Sequence, residues 1–311
     1  MITMEELTRI FYNAPHEIYL EKNIAFYFYL TGVSAASFII STLAFVFGME
    51  RFKAAGRLGA VIAPLVLAIA PLFLIVDLLQ PMRFIYLLYH FNLASPVSWG
   101  TILLTLYPLN CLIYLYFIYK DNKPMTKIFG SIGIPLAIAV HGYTGFILAL
   151  AKGIALWNTA LMPVYFLISA MVSGTALLIF ISIVKERFFG NVHLINRFFP
   201  KVEKEVIYEL GKLLAVFIAI DLFVAFSDVV LLFYSTPENQ VAAQLLLQGK
   251  FSSMFLYVEV VLGMIIPFAV LMIPRLNRSM VVLTVISILV MIGIWGMRYT
   301  TVVAGQYVPL M

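Results

Sequence analysis

The sequence predicts an all-α integral membrane protein of eight transmembrane helices, and three features of its 311 residues do so. Hydrophobic side chains make up 63% of the chain and charged ones 11%, against about 25% charged in an ordinary soluble domain. The mean hydropathy of +1.03 comes from apolar runs of about 20 residues, the length that crosses roughly 30 Å of hydrocarbon as a helix. Lys and Arg are distributed unequally between alternate connections. This composition excludes a soluble enzyme, a nucleic-acid-binding module and a disordered chain. The net charge of +5 reads as loop charge, with no nucleic acid among the expected partners.

The spans follow in order. Residues 1–23 hold no basic stretch followed by an apolar core, so no cleaved signal peptide is expected, and they form an N-terminal segment outside the membrane. The spans are 24–48, 57–79 with Pro64 and Pro71, 97–118 with Pro108, and 127–151 with Pro135. After them come 158–184 with Pro163, 206–234, 252–274 with Pro267, and 280–298. Each proline removes a backbone hydrogen bond and can kink its helix; kinks open space between helices, so a cleft inside the bundle is expected. A split near Ile154 divides the spans into two four-helix bundles, 24–151 and 152–298, leaving a tail at 299–311.

The odd-numbered loops carry Arg51, Lys53 and Arg57; Lys120, Lys123 and Lys127; Lys185, Arg187, Arg197, Lys201 and Lys204; and Arg275 and Arg278. The opposite side carries Arg9, Lys22, Arg83, Lys152, Lys250 and, at the end of the last span, Arg298. The positive-inside rule then puts the richer side in the cytoplasm and both termini on the extracytoplasmic side. The expected location is a prokaryotic cytoplasmic (inner) membrane.

Ionisable residues in hydrocarbon cost several kcal/mol and mark function or a buried pair. Direction of travel sorts them by depth. Asp77 lies in the last turn of span two, His141 and Tyr143 in the outer half of span four, Asn13 and His16 just ahead of span one, and Arg83, His90 and Asn92 in the outer loop after span two. Four segments therefore send polar groups to one depth on one side. A quinone suits such a place: apolar walls take its ring, His and Tyr donate to its carbonyls, and a carboxylate passes protons. Plainer roles stand beside each: a helix cap for Asn13, an interfacial anchor for His16 or Tyr143, an ion pair for Asp77 with Arg83.

The later spans hold Lys212, Asp221, Asp228, Glu259 and Arg298. They read either as a carboxylate–arginine cluster binding spans six to eight, or as a proton path entering near Lys212. Ser169, Ser173 and Gly174 of span five allow close helix approach. A bis-histidine haem is not expected, since only His141 lies inside a span. The lone Cys111 can hold no iron–sulfur cluster and reads as a small buried hydrophobe, and no metal-ligand spacing is present.

The run Asp77-Leu-Leu-Gln-Pro81-Met-Arg83-Phe84, then Phe91-Asn92-Leu-Ala-Ser95-Pro96-Val-Ser-Trp99-Gly100, resembles the NrfD / polysulfide reductase membrane-subunit family. Tyr143-Thr144-Gly145, Trp157-Asn158-Thr159, Ser173-Gly174, Arg298-Tyr299 and Gly305-Gln306 extend the likeness along nearly the whole chain. The resemblance implies a quinone-reactive anchor without a redox cofactor of its own, exchanging electrons between menaquinol or ubiquinol and a ferredoxin-like iron–sulfur subunit on the outer face. That subunit would serve a larger molybdopterin-type catalytic subunit in anaerobic respiration. The family's quinone site is matched by Asn13, His16, Asp77 and Tyr143, with Ser169 or Ser173 as further candidates. Proton transfer would fall to Asp77, Lys212, Asp221, Asp228, Glu259 and Arg298. The alternative, a secondary ion or solute transporter, would use broken spans and an inverted repeat; no repeat is evident.

Overall fold

A computed structural model describes residues 19–77, 81–90, 92, 94–190, 192 and 199–307. Asn13 and His16 lie outside these. Among the described residues eight helices are long and apolar enough to cross a membrane. They are α1 (Lys22–Phe45), α2 (Lys53–Asp77), α3 (Pro96–Tyr119), α4 (Lys123–Ala149), α5 (Met162–Phe189), α6 (Lys204–Phe233), α7 (Ser253–Leu271) and α8 (Met280–Gly305). The all-α membrane architecture expected from composition is therefore present.

Local chemistry sets the boundaries. Gly48, at φ +75°, turns the chain from α1 towards α2, a conformation that costs Gly little. Asn122 caps α4 by accepting a hydrogen bond from Met125 N at 3.3 Å, and Ser279 does the same for α8 with Val282 N. Pro64, Pro71, Pro108 and Pro135 lie inside their helices. Pro163 instead occupies the first turn of α5, where its missing N–H breaks no helical bond. From Ser253 to Ile265, α7 has π-helical winding that ends just before Pro267. The wider winding moves the carbonyl that the proline ring would strike.

Two boundaries depart from expectation. α5 begins at Met162, and residues 151–161 form turns. α8 continues through Tyr299 to Gly305, so Arg298 is buried inside the last helix, at 1% exposure, and is not a loop charge at its end. Thr-Thr-Val-Val-Ala after Tyr299 sustains the helix, and neighbouring polar groups accommodate the guanidinium.

The helices pack in the same cyclic order in each half: α1–α2–α3–α4 closing on α1, and α5–α6–α7–α8 closing on α5. α1 and α5 join the halves, with α4 against α5 and α8 against α1. Small residues set the closest approaches. A Cβ on Gly59 would lie 2.5 Å from Ser37 O, and one on Gly263 would lie 2.6 Å from Gly293 Cα, the close backbone contact that membrane helices use in place of a hydrophobic drive. Val76, Phe223, Phe226 and Val281 point outward, as a lipid-facing surface requires.

Candidate functional site

The starts of the odd helices and the ends of the even ones form one end of the bundle, here the terminal end; the connections rich in Lys and Arg form the basic end. Asp77 closes α2 at the terminal end, beside the Asn23 side chain and the backbone N–H of Glu21. The ion pairs among the described residues join Arg51 to Glu209, Lys53 to Glu50 and Lys201 to Glu186, so Asp77 and Arg83 are not paired. Tyr143 of α4 is half-buried. Its ring covers Gly100 of α3, where an added Cβ would lie 2.5 Å away, and Tyr27 of α1 is an electrostatic neighbour. Asn23 and Tyr27, four residues apart, share one face of α1. Asp77 and Tyr143 thus reach the same wall about one turn apart.

The segment leading into α1 is tied to the far end of the chain. Gln306 Oε1 accepts from Tyr19 N and Leu20 N at 2.9 and 3.0 Å, while its Nε2 donates to Leu20 O at 2.8 Å and Val302 O at 3.0 Å. Trp157 Nε1 donates to Thr301 O at 2.6 Å, and its ring lies on Gly305. The connection between the halves is thereby pinned to the same end of α8.

Behind this wall lies a buried polar cluster. Arg298 Nη2 donates to Ser169 Oγ at 2.7 Å and Phe166 O at 2.9 Å, and stands 3.2 Å from His141 Nε2. The guanidinium carbon lies 3.7 Å from the centre of the Phe166 ring, within cation–π range. His141 Nε2 is itself 2.8 Å from Phe166 O. One nitrogen cannot donate to that carbonyl and accept from Arg298 at once. The shorter contact assigns the proton to Nε2, with Phe166 O shared between His141 and Arg298. Among the described residues, His141 Nδ1 and Arg298 Nε and Nη1 have no hydrogen-bond partner.

Next to it, Tyr165 donates from its hydroxyl to Glu259 Oε1 at 2.6 Å. Tyr165, Glu259, Asp228, Thr300 and Thr301 line a cavity of about 20 Å³, room for about one water. Asp221 is wholly buried, and among the described residues neither of its carboxylate oxygens nor Asp228 Oδ1 has a hydrogen-bond partner. Charge on either needs a partner or water, because an isolated buried carboxylate is prohibitively costly. Arg298 is not ion-paired with these acids; its hydrogen bonds go to α5, and Asp221 and Glu259 act on it at longer range. The carboxylate–arginine cluster expected to bind α6, α7 and α8 directly is thus replaced by a cluster centred on α4, α5 and α8.

The remaining expected residues divide. Ser169 joins the Arg298 cluster, whereas Ser173 donates to Ala170 O of its own helix at 3.1 Å, next to the seam where Gly174 meets Ala36 of α1. Lys212 is exposed. It lies nine residues before Asp221, half a turn out of phase on α6, so it does not join the carboxylates. Two members were not picked out from sequence as site residues. His141 was grouped by depth with Tyr143 and weighed as a haem ligand but not carried into the quinone or proton-transfer residues, and Tyr165 was passed over, although its place near the start of span five sets it near the depth of Tyr143. Among the described residues no group of three or more His, Cys, Asp or Glu side chains is placed to hold a metal ion.

Comparison with known proteins gives one consistent result. The family model described as Polysulphide reductase, NrfD matches residues 13–309. A selenate reductase subunit of Mesobacillus selenatarsenatis is 27% identical, over 92% of this chain and 74% of that protein. The Hdr-like menaquinol oxidoreductase integral membrane subunit of Archaeoglobus fulgidus is 26% identical, over 90% and 69%. A polysulfide reductase chain of Wolinella succinogenes is 29% identical, over 91% and 93%.

Proposed function

The chain belongs to the polysulphide reductase NrfD family, and from that premise we propose that it is the quinone-reactive membrane anchor of a respiratory oxidoreductase complex. The approach of Asp77 and Tyr143 to one face of α1 is the observation that carries the reading, and a relative named as a menaquinol oxidoreductase subunit supports it. The quinone ring lies against α1 at the terminal end. Tyr143 and His16 hydrogen-bond its oxygens, Asn13 orients them, and Asp77 exchanges a proton with them; Ser169 acts from behind through Arg298.

Oxidation of a quinol releases two electrons and two protons. The electrons pass to a ferredoxin-like iron–sulfur subunit at the terminal end, which is the extracytoplasmic face of the inner membrane, and from it to a molybdopterin-type catalytic subunit. Asp77 takes a proton from the quinol oxygen it faces. Tyr165, Glu259, Asp228 and Asp221, with Arg298 beside them, form a second proton route through α5 to α8.

Purification from native membranes in mild detergent, with partner identification and iron and molybdenum analysis, tests the assembly. Stoichiometric recovery of an iron–sulfur protein is expected, and the largest partner then identifies the terminal substrate. A lone, metal-free chain, under conditions that keep other membrane complexes whole, overturns it.

A further inference from the structure

At the basic end, α6 and α7 part to leave an open cleft of about 430 Å³, within the roughly 300–1,000 Å³ of small-molecule sites. It starts at Lys212 and follows α6 through Val216 to Ile220, about 12 Å along the helix. Phe268 and Met272 of α7 form the facing wall. Val216, Ile220 and Met272 are exposed, so the cleft opens to the membrane and not to the protein interior. It is a groove parallel to the helices, apolar along its length, with a cation at one end.

Among the described residues that cation has no ion-pair partner. Glu209, about one turn below Lys212, is taken by Arg51 at 2.6 Å, and Lys212 is in none of the ion pairs among the described residues. Arg275 and Arg278, exposed on the connection whose Pro274 and Asn277 help line the cleft, are likewise unpaired. Asn277, the other polar side chain of the lining, is 3% exposed, and its Oδ1 has no hydrogen-bond partner among the described residues. A lysine near a helix end can simply extend to the headgroup layer, but such extension leaves no reason for an apolar groove beneath it.

We propose that this cleft is a binding site for an acidic phospholipid, with its phosphate on Lys212 and one acyl chain lying along Val216 and Ile220. Basic pockets between membrane helices select anionic headgroups in this way. Arg275 and Arg278 add to the field that attracts the phosphate. An isoprenoid quinone tail fills the groove equally well but offers nothing to the ammonium. The site stands apart from the quinone reading, since it lies at the opposite end of the bundle from Asp77 and Tyr143.

Native mass spectrometry of the full chain in its detergent-purified complex, with phosphatidylglycerol or phosphatidylcholine added, reads this directly. One tightly held phosphatidylglycerol per chain is expected, with phosphatidylcholine retained much less. Lys212→Gln is expected to weaken retention about fivefold, the worth of one basic residue near an anionic surface, and Lys212→Arg to restore it. Ala219→Phe, which fills the groove, abolishes retention. Thermal unfolding of each variant separates loss of lipid from loss of fold, and Lys212→Gln, at an exposed position, keeps the test open if Ala219→Phe misfolds. Equal retention of the two lipids, or retention indifferent to Lys212→Gln, overturns the proposal. So does recovery of quinone in place of lipid, displaced by Ala219→Phe.

Discussion

Arg298 of α8 donates a 2.7 Å hydrogen bond to Ser169 of α5, and the same nitrogen lies 3.2 Å from His141 of α4. One guanidinium thus fastens the last helix to the helix that joins the two halves.

Arg298→Met separates the structural from the chemical role of this group. The thioether fills much of the guanidinium's space, and Phe166 O keeps the His141 donor, so the cost to stability is expected to be that of the lost bond to Ser169 Oγ, about 1–3 kcal/mol. The positive charge that Asp221 and Glu259 feel is lost, and quinol-driven turnover is expected to fall at least about tenfold, within the range of proton-transfer contributions. Thermal unfolding and steady-state quinol oxidation measure the two. A variant that unfolds far earlier, yet turns over normally while folded, would assign Arg298 to packing alone.

Gly100→Ala tests Tyr143 without altering it. The new methyl carbon would lie 2.5 Å from the tyrosine ring, so the ring must move, and displacement of a binding group by about 1 Å can cost up to 10²-fold. Gly100→Ala and Tyr143→Phe are both expected to raise the KM for quinol, with the complex still assembled. Unchanged kinetics in both remove Tyr143 from the quinone site.

The eight helices were legible because hydrocarbon demands long apolar runs, and each run left its mark in the sequence. The end of α8 was not. Stopping the span at Arg298 assumed that a charge marks a boundary, but the hydroxyl and carbonyl that hold this charge come from Ser169 and Phe166, far away in sequence. Depth sorting did bring Asp77 and Tyr143 to one end, because helix direction alone fixes depth. It left unused the nine-residue spacing that sets Lys212 and Asp221 on opposite faces of α6; which of those faces turns inward depends on the packing of α6 against α5 and α7. Nor did Gln306 reveal itself: one glutamine at a helix end becomes a clamp only when α1 and α8 lie side by side.

Gln306→Ala removes the bonds to Tyr19 and Leu20. At roughly 0.5–1.5 kcal/mol each, their loss is expected to lower the unfolding temperature by a few degrees. Because Leu20 leads directly from the segment of Asn13 and His16 into α1, the KM for quinol is expected to rise more than kcat falls. Gln306→Glu keeps the acceptor but not the donor, and is expected to fall between alanine and wild type. Loss of stability with quinol kinetics untouched would show that the clamp does not position the N-terminal segment.

Tyr165 donates directly to Glu259 at 2.6 Å, and both line a cavity with room for about one water, while Asp221 is buried with neither oxygen partnered among the described residues. A proton passing through the second half needs a donor and acceptor at each step, and Tyr165→Phe removes the hydroxyl while leaving the ring packing in place. The hydroxyl's partner, Glu259, then faces the cavity without its donor, which costs about 1–3 kcal/mol locally. In vesicles holding the whole complex, Tyr165→Phe and Asp221→Asn are each expected to lower the protons moved per electron while electron transfer from quinol continues. If both variants keep the wild-type ratio, the carboxylates of α6 and α7 hold structure only, and proton exchange is confined to Asp77 at the terminal end.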